Sequence, residues 1–202
     1  MDSYHSQYVD LHFERAGLFE AIRERYHPRE VLYPGCSVHI TPSLYFPHVV
    51  YVDRSEAARQ FFADEKSLRE FVSRNKHYRQ SAYLRFIARD YSTPLPLREG
   101  TFDLLLALFA GGIARACVRY LKIGGHLLTN NHEGDAREAA NDERLNLAAV
   151  VRFQKGNYFV EETALNKGKV PAQKLNSTYL KRVDQGVEYV ERETYYVFER
   201  LH

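Results

Sequence analysis

The sequence of 202 residues predicts an α/β domain: a doubly wound, mostly parallel sheet with helices on both faces and an antiparallel C-terminal edge pair. Three observations predict it. Short β-rich runs alternate with helical stretches five times between Glu30 and Arg144. One of those runs, FDLLLALF (Phe102 to Phe109), is continuously apolar, the mark of a strand covered on both faces. The rhythm then changes: LNLAAVVRF and YFVEE flank Gln154-Lys155-Gly156-Asn157, a hairpin signature with no crossover helix.

Taken in order, apolar residues at Val9, Leu11, Phe13, Leu18, Phe19 and Ile22 predict one amphipathic helix over Ser6 to Arg25, ending before His27-Pro28. Glu30 to Tyr33 is a first strand. Ile40 to Phe46 is a short helical stretch stopped by Pro47. HVVYVD (His48 to Asp53) is a second strand, rich in β-branched residues and ending on an acid. Ser55 opens a helix that runs to Phe62, and Ser67 to Arg74 continues helical. YLRFIARD (Tyr83 to Asp90) is a third strand, and Pro94, Pro96 and Gly100 make the next stretch a loop. After the fourth strand, Phe102 to Phe109, a helix over Ile113 to Leu121 stops near Gly124-Gly125. His126 to Asn131 is a fifth strand, Asp135 to Arg144 a helix, and Thr194 to Leu201 a closing strand. One domain over 1–202 results: a helical segment at 1–28, a core at 29–144, and antiparallel strands at 145–202 with a long insertion at 163–187.

Composition narrows the function classes. A net charge of +2 is too small to announce a nucleic-acid or membrane partner, so nucleic acid is not expected. The longest apolar stretch, Leu104 to Ala114, is too short to span a bilayer. The first residues lack an apolar signal region, and Cys36 and Cys117 are the only cysteines, which suits a reducing cytoplasm. The nine histidines have no paired-ligand spacing, so no metal is expected. The stretch from Arg74 to Arg89 interleaves Arg and Lys with Tyr78, Tyr83 and Phe86, and reads as a solvated rim more readily than as a nucleic-acid surface.

Ligands of such sheets sit outside the carboxyl ends of the strands, where the strand order switches. That gathers Gly35 to His39, Asp53, Asp90, Phe109 to Gly112 and Asn130 to His132 around one crevice.

The residues there resemble a known family. LPLREGTFDLLLALF is similar to the segment leading into the fourth strand of class I S-adenosylmethionine-dependent methyltransferases, where an LP-x-x-x-G-x-FD run is common. RYLKIGGHLLTNN resembles the same family's LKPGG turn, with Ile123 in place of Pro. LYPGCSVHI falls where the family's first motif lies, and VVYVD ends in Asp53, where the family carries a ribose-binding acid. The match runs from about Glu30 to Asn131 in the right order. It implies a Rossmann-like methyltransferase fold, S-adenosylmethionine as cofactor and a transferase acting on a small molecule. There are departures. Tyr33 stands where the family has an acid, Gly35 is kept, Cys36 follows it, and Ser37 and His39 replace two glycines.

The resemblance implies roles residue by residue. Asp53, with Arg54 beside it, would hold the ribose; Asp90 and Tyr91, the adenine; the Gly35–His39 loop, the methionine end, with the His39 ring narrowing it. Phe109 closes the fourth strand without the Asn- or Asp-Pro-Pro-aromatic motif of base methyltransferases. Asn131 and His132 are candidate substrate contacts, His132 also a general base. Each has a plainer reading: Asp53 as a helix cap, Asp90 as a turn acid, His132 as a polar loop residue. No catalytic residue is identified by these motifs. The expected activity is methyl transfer to a small acceptor. The alternative is a non-catalytic domain that binds a nucleotide-like ligand or a protein partner. Thr163 to Val183, acid-free and basic, is expected to be a mobile collar of the crevice.

Overall fold

The computed structural model describes residues 1–163 and 194–202, and the backbone of two short strands at 180–183 and 186–189. Most of the expected collar therefore lies outside the described residues. The strands are β1 (Glu30–Pro34), β2 (His48–Asp53), β3 (Tyr83–Ala88), β4 (Phe102–Ala107), β5 (Leu121–Thr129), β6 (Leu145–Gln154), β7 (Asn157–Glu162), β8 (Leu180–Val183), β9 (Gly186–Tyr189) and β10 (Thr194–Arg200). The helices are α1 (Asp2–Tyr4), α2 (Ala16–Tyr26), α3 (Pro42–Tyr45), α4 (Glu56–Ala63), α5 (Glu65–Asn75), α6 (Ile113–Cys117) and α7 (Asp135–Asn141), with a π-helical turn at His5–Val9.

Eight strands form one sheet in the order β3-β2-β1-β4-β5-β10-β6-β7. β1 through β5 are mutually parallel, and the order switches between β1 and β4. Strand parity explains why the central runs are continuously apolar. Leu104 and Leu106 face the layer of α2 to α5, while Leu105 faces α6 and α7; Val31 and Tyr33 alternate with Leu32 in the same way. Helices cover both faces, as the sequence predicts. Ser55 caps α4, its hydroxyl accepting from the Ala58 amide, and Asp64 caps α5 through the Ser67 amide.

Four features differ from the sequence reading. The hairpin β6–β7 is the antiparallel edge pair, but β10 is not at the edge: it inserts between β5 and β6, antiparallel to both. The reason is in its residues, since Tyr195, Tyr196, Val197 and Phe198 are all buried and need cover on both faces. β8 and β9 form a separate two-stranded sheet within the insertion. The first helix is not continuous. It breaks over residues 10–15, where His12 and Arg15 take left-handed backbone conformations (φ 52° and 55°). Finally, β3 is an edge strand, so Tyr83 and Arg85 are exposed rather than buried in the sheet.

Leu106 lies on the central strand and is wholly buried. Leu106→Ala is expected to lower unfolding free energy by about 2–5 kcal/mol, through lost transfer energy and the cavity left behind. Urea denaturation monitored by far-UV circular dichroism checks this.

Candidate functional site

The crevice at the carboxyl ends of β1, β2, β4 and β5 is built around Asp53. Pro34 and Gly35 (φ 65°) turn the chain out of β1, and the Gly35 amide donates to the Val52 carbonyl at 2.8 Å. Ser37 is also left-handed (φ 48°), and its amide donates to Asp53 Oδ2 at 2.8 Å. The other carboxylate oxygen, Oδ1, accepts from the Ser55 amide at 2.8 Å. Asp53 thus holds the first loop and the start of α4 together, and each oxygen retains acceptor capacity.

Asp90 makes the turn that its context favours. Its Oδ1 accepts from the Ser92 amide (2.9 Å) and hydroxyl (2.7 Å), and Oδ2 pairs with Arg54 at 3.0 Å. The Ser92 hydrogen bonds hold its carboxyl below the usual range. The Tyr91 hydroxyl donates to the Gly111 carbonyl at 2.9 Å, which lays its ring beside Gly35. Gly35 has no room for a side chain: a Cβ there would stand 2.6 Å from the Ala110 Cβ.

His39 corrects the sequence reading. It does not narrow the crevice; it is wholly buried, with its Nδ1 3.0 Å from the Tyr33 hydroxyl and its Nε2 3.1 Å from the Glu14 carbonyl. The Tyr8 ring stacks on it at 4.3 Å. Tyr33 and Cys36 are buried as well, so of the first loop only Gly35 and Ser37 keep partial exposure. Asn131 is also buried, and its side-chain oxygen accepts from the Ala136 and Arg137 amides (3.0 and 3.2 Å). It anchors the start of α7 rather than facing a substrate. His132 remains at the rim, its ring 6.0 Å from that of Phe109.

The residues that sequence reasoning missed come from the broken N-terminal segment. The Tyr8 ring stacks on Phe13 at 5.8 Å as well as on His39. Phe13 lies 5.3 Å from Phe109, ring to ring. The Arg15 guanidinium sits between those two rings, 3.5 Å from one centroid and 4.2 Å from the other, and donates to the Tyr195 hydroxyl at 2.7 Å. Residues 1–15 therefore strap the Gly35–Ser37 end of the crevice. One signal was present: Val9, Leu11 and Phe13 recur every second residue, which is not a helical period.

Backbone strain gathers here. Among the described residues eight non-glycine positions have positive φ, and six of them, His12, Arg15, Ser37, Phe109, Asn131 and Glu133, belong to the strap or to crevice loops. Behind the crevice, Asp135 is buried and its carboxyl is pushed up to about 7 by burial. Beyond the Asp90–Tyr91 turn a cleft of about 710 Å³ opens, lined by Arg54, Arg115, Arg119 and Arg144 together with Asp90 and Gly111. Among the described residues no group of three or more His, Cys, Asp or Glu could hold a metal ion, and no helix is long and apolar enough to cross a membrane.

Burial pushes the His39 pKa down from 6.5 to about 3, with the Arg15 charge adding to the effect. The unfolded chain then binds the proton first. The stabilisation is complete above pH 6.5 and is lost as pH falls toward 3. Asp135 opposes it, losing its contribution as pH rises from 3.8 to about 7. Comparing the parent with His39→Gln cancels the Asp135 contribution. Between about pH 6 and 4 the parent is expected to lose up to ~1.4 kcal/mol per pH unit more than the variant. Urea titrations across that range measure the difference in slope.

No protein-family model matches the sequence, and no curated protein matches it. Solved structures do. The N-methyltransferase NodS from Bradyrhizobium japonicum, in complex with S-adenosyl-L-homocysteine, superposes with a TM-score of 0.55 at 12% identity, covering 99% of this chain and 91% of that one. A methyltransferase described as S-adenosylmethionine-dependent, from Thermotoga maritima, superposes with a TM-score of 0.52 at 12% identity, covering 100% and 95%. In two further matches the chain spans only 60% and 44% of the other protein's length. The strand order, the switch between β1 and β4, and these superpositions agree: the chain has the fold of the class I S-adenosylmethionine-dependent methyltransferases.

Proposed function

We propose that the chain is an S-adenosylmethionine-dependent methyltransferase acting on a small molecule. One feature above all supports it: Asp53, fixed at the end of β2 by two amides while both oxygens keep lone pairs for a ribose diol. The adenosine half of the cofactor fits what surrounds it. Tyr91 presents a ring at the switch point, and the Asp90–Ser92 turn and Arg54 border it. The methionine half would lie toward Gly35 and Ser37, beneath the strap, so entry requires residues 1–15 to lift.

The cofactor would supply an activated methyl group. The chain's part is orientation and exclusion of water. Asp53 orients the ribose, and Tyr8 and Phe13 of the strap, with Phe109 beside them, keep the reacting end dry. In-line displacement asks for little acid–base help, and His132 at the rim is available to accept a proton from the acceptor. A second reading, a non-catalytic domain for a nucleotide-like ligand or a protein partner, has one observation in its favour. Ala110 and Tyr91 press so closely on Gly35 that even a Cβ would not fit there, which leaves little room beside the first loop.

Calorimetric titration with S-adenosylhomocysteine separates the two. The parent is expected to bind, and Asp53→Ala to bind about 1.5–3 kcal/mol more weakly, the usual loss for a hydrogen bond to a charged group. A folded parent that gives no heat at millimolar ligand would leave the second reading standing.

A further inference from the structure

We infer that the arginine-lined cleft beyond the Asp90–Tyr91 turn is a binding subsite for the phosphate group of a small phosphorylated ligand. S-adenosylmethionine carries no phosphate, so the inference goes beyond the proposed methyl transfer, although the cleft shares Arg54, Asp90, Tyr91 and Ser92 with the proposed adenosine site.

The cleft holds about 710 Å³, and four guanidinium groups line it against one carboxylate. Two of the four are neutralised. Arg54 pairs with Asp90 at 3.0 Å. Arg144 grips Asp142 with both ends of its fork, Nε to Oδ1 at 3.0 Å and the terminal nitrogen to Oδ2 at 2.7 Å. The other two are paired more loosely. Arg115 comes no nearer than 3.9 Å to Glu138, and Arg119 no nearer than 3.9 Å to Glu99, too far for a hydrogen bond in either case. The Arg115 side chain is 80% exposed, free to reorient. Arg119 Nε is buried without a hydrogen-bond partner.

That arrangement is unfavourable without a ligand. Arg115 and Arg119 stand four residues apart on the helical stretch formed by α6 and the turn at Val118–Tyr120. Like charges at that spacing repel, and a buried guanidinium N–H without an acceptor forfeits a hydrogen bond. Glu133 brings a further carboxylate to the edge of the cleft, over Gly111. An oxyanion in the cleft would supply the acceptors at hydrogen-bond distance that Glu138 and Glu99 do not. A guanidinium matches phosphate geometry in two-point fashion, which an ammonium does not. The two loosely paired arginines therefore favour a ligand of that charge and shape.

The test is calorimetry at low ionic strength with inorganic pyrophosphate as the probe. The parent is expected to bind it. Arg115→Ala and Arg119→Lys, the latter keeping its charge and much of its packing, are each expected to weaken binding about ten-fold. Arg74→Ala, an exposed arginine on α5 that does not line the cleft, is expected to leave binding unchanged. No binding by the parent, or an equal loss in all three variants, would overturn the subsite and leave only diffuse surface charge. Adenosine monophosphate and orthophosphate distinguish the source of the phosphate. A monoester that binds more tightly than orthophosphate supports a phosphorylated small molecule; orthophosphate binding the tighter overturns it in favour of a free anion. Pyrophosphate binding that persists in Asp53→Ala separates this site from the proposed adenosine site, whatever S-adenosylhomocysteine does.

Discussion

The buried guanidinium of Arg15 is the contact on which the upper half of the molecule depends. Removing a charge from water is costly unless dipoles and hydrogen bonds replace the solvent. Here Arg15 is only 6% exposed, lies between the rings of Phe13 and Phe109, and donates to the Tyr195 hydroxyl and the Phe13 carbonyl. Those partners come from the N-terminal strap, the end of β4 and the last strand, three regions far apart in the chain. Their agreement requires the helix to break at residues 10–15 and β10 to sit inside the sheet. It also shapes the chemistry beside it, since the Arg15 charge adds to burial in keeping His39 neutral.

The unusual first loop follows from that strap. A methyltransferase-like loop with an acid and three glycines would leave its backbone open. In this chain the Tyr33 hydroxyl meets His39, His39 meets the Glu14 carbonyl, and Tyr8 stacks on the imidazole. The substitutions at Tyr33 and His39 are thus one packing unit with the residues before Arg15. Ser37 stays outside that unit: its amide serves Asp53.

Much of the fold was legible because the central strands obey local rules. Runs such as VVYV and LLLA have to be covered on both sides, and the acids and prolines that end them are signals within the segment itself. Asp53 was legible for the same reason: a strand-end carboxylate needs no distant partner to be noticed. Tyr33, His39 and Asn131 were misjudged because their burial is decided elsewhere. His39 bonds a carbonyl 25 residues away, and nothing within LYPGCSVHI announces it. The position of β10 depended in the same way on which strands were left with an open edge. Its run of four buried residues said only that both faces would be covered. The arginine cleft was invisible because Arg54, Arg115, Arg119 and Arg144 are scattered along the chain and meet only through the topology.

The crevice therefore has two ends with different mechanical character. At Asp53 the carboxylate is tied to two amides of the first loop and the α4 start, so a ribose would meet a surface already in place. At Gly35 and Ser37 the surface is only partly exposed, and on the proposed reading a ligand there would displace a strap anchored by Arg15 and by the aromatic stack. When only a fraction of the molecules is open, the apparent affinity falls by that fraction. The same closure, re-formed over a bound ligand, would exclude water from the reacting end. The left-handed residues cluster where that exchange would take place, in the strap and at the ends of β1, β4 and β5. Each carries strain of order 1–3 kcal/mol at most, enough to bias an opening equilibrium without threatening a core held by two apolar layers. Strain confined to the loops, over a sheet whose central strands are buried on both faces, lets the site move while the fold does not.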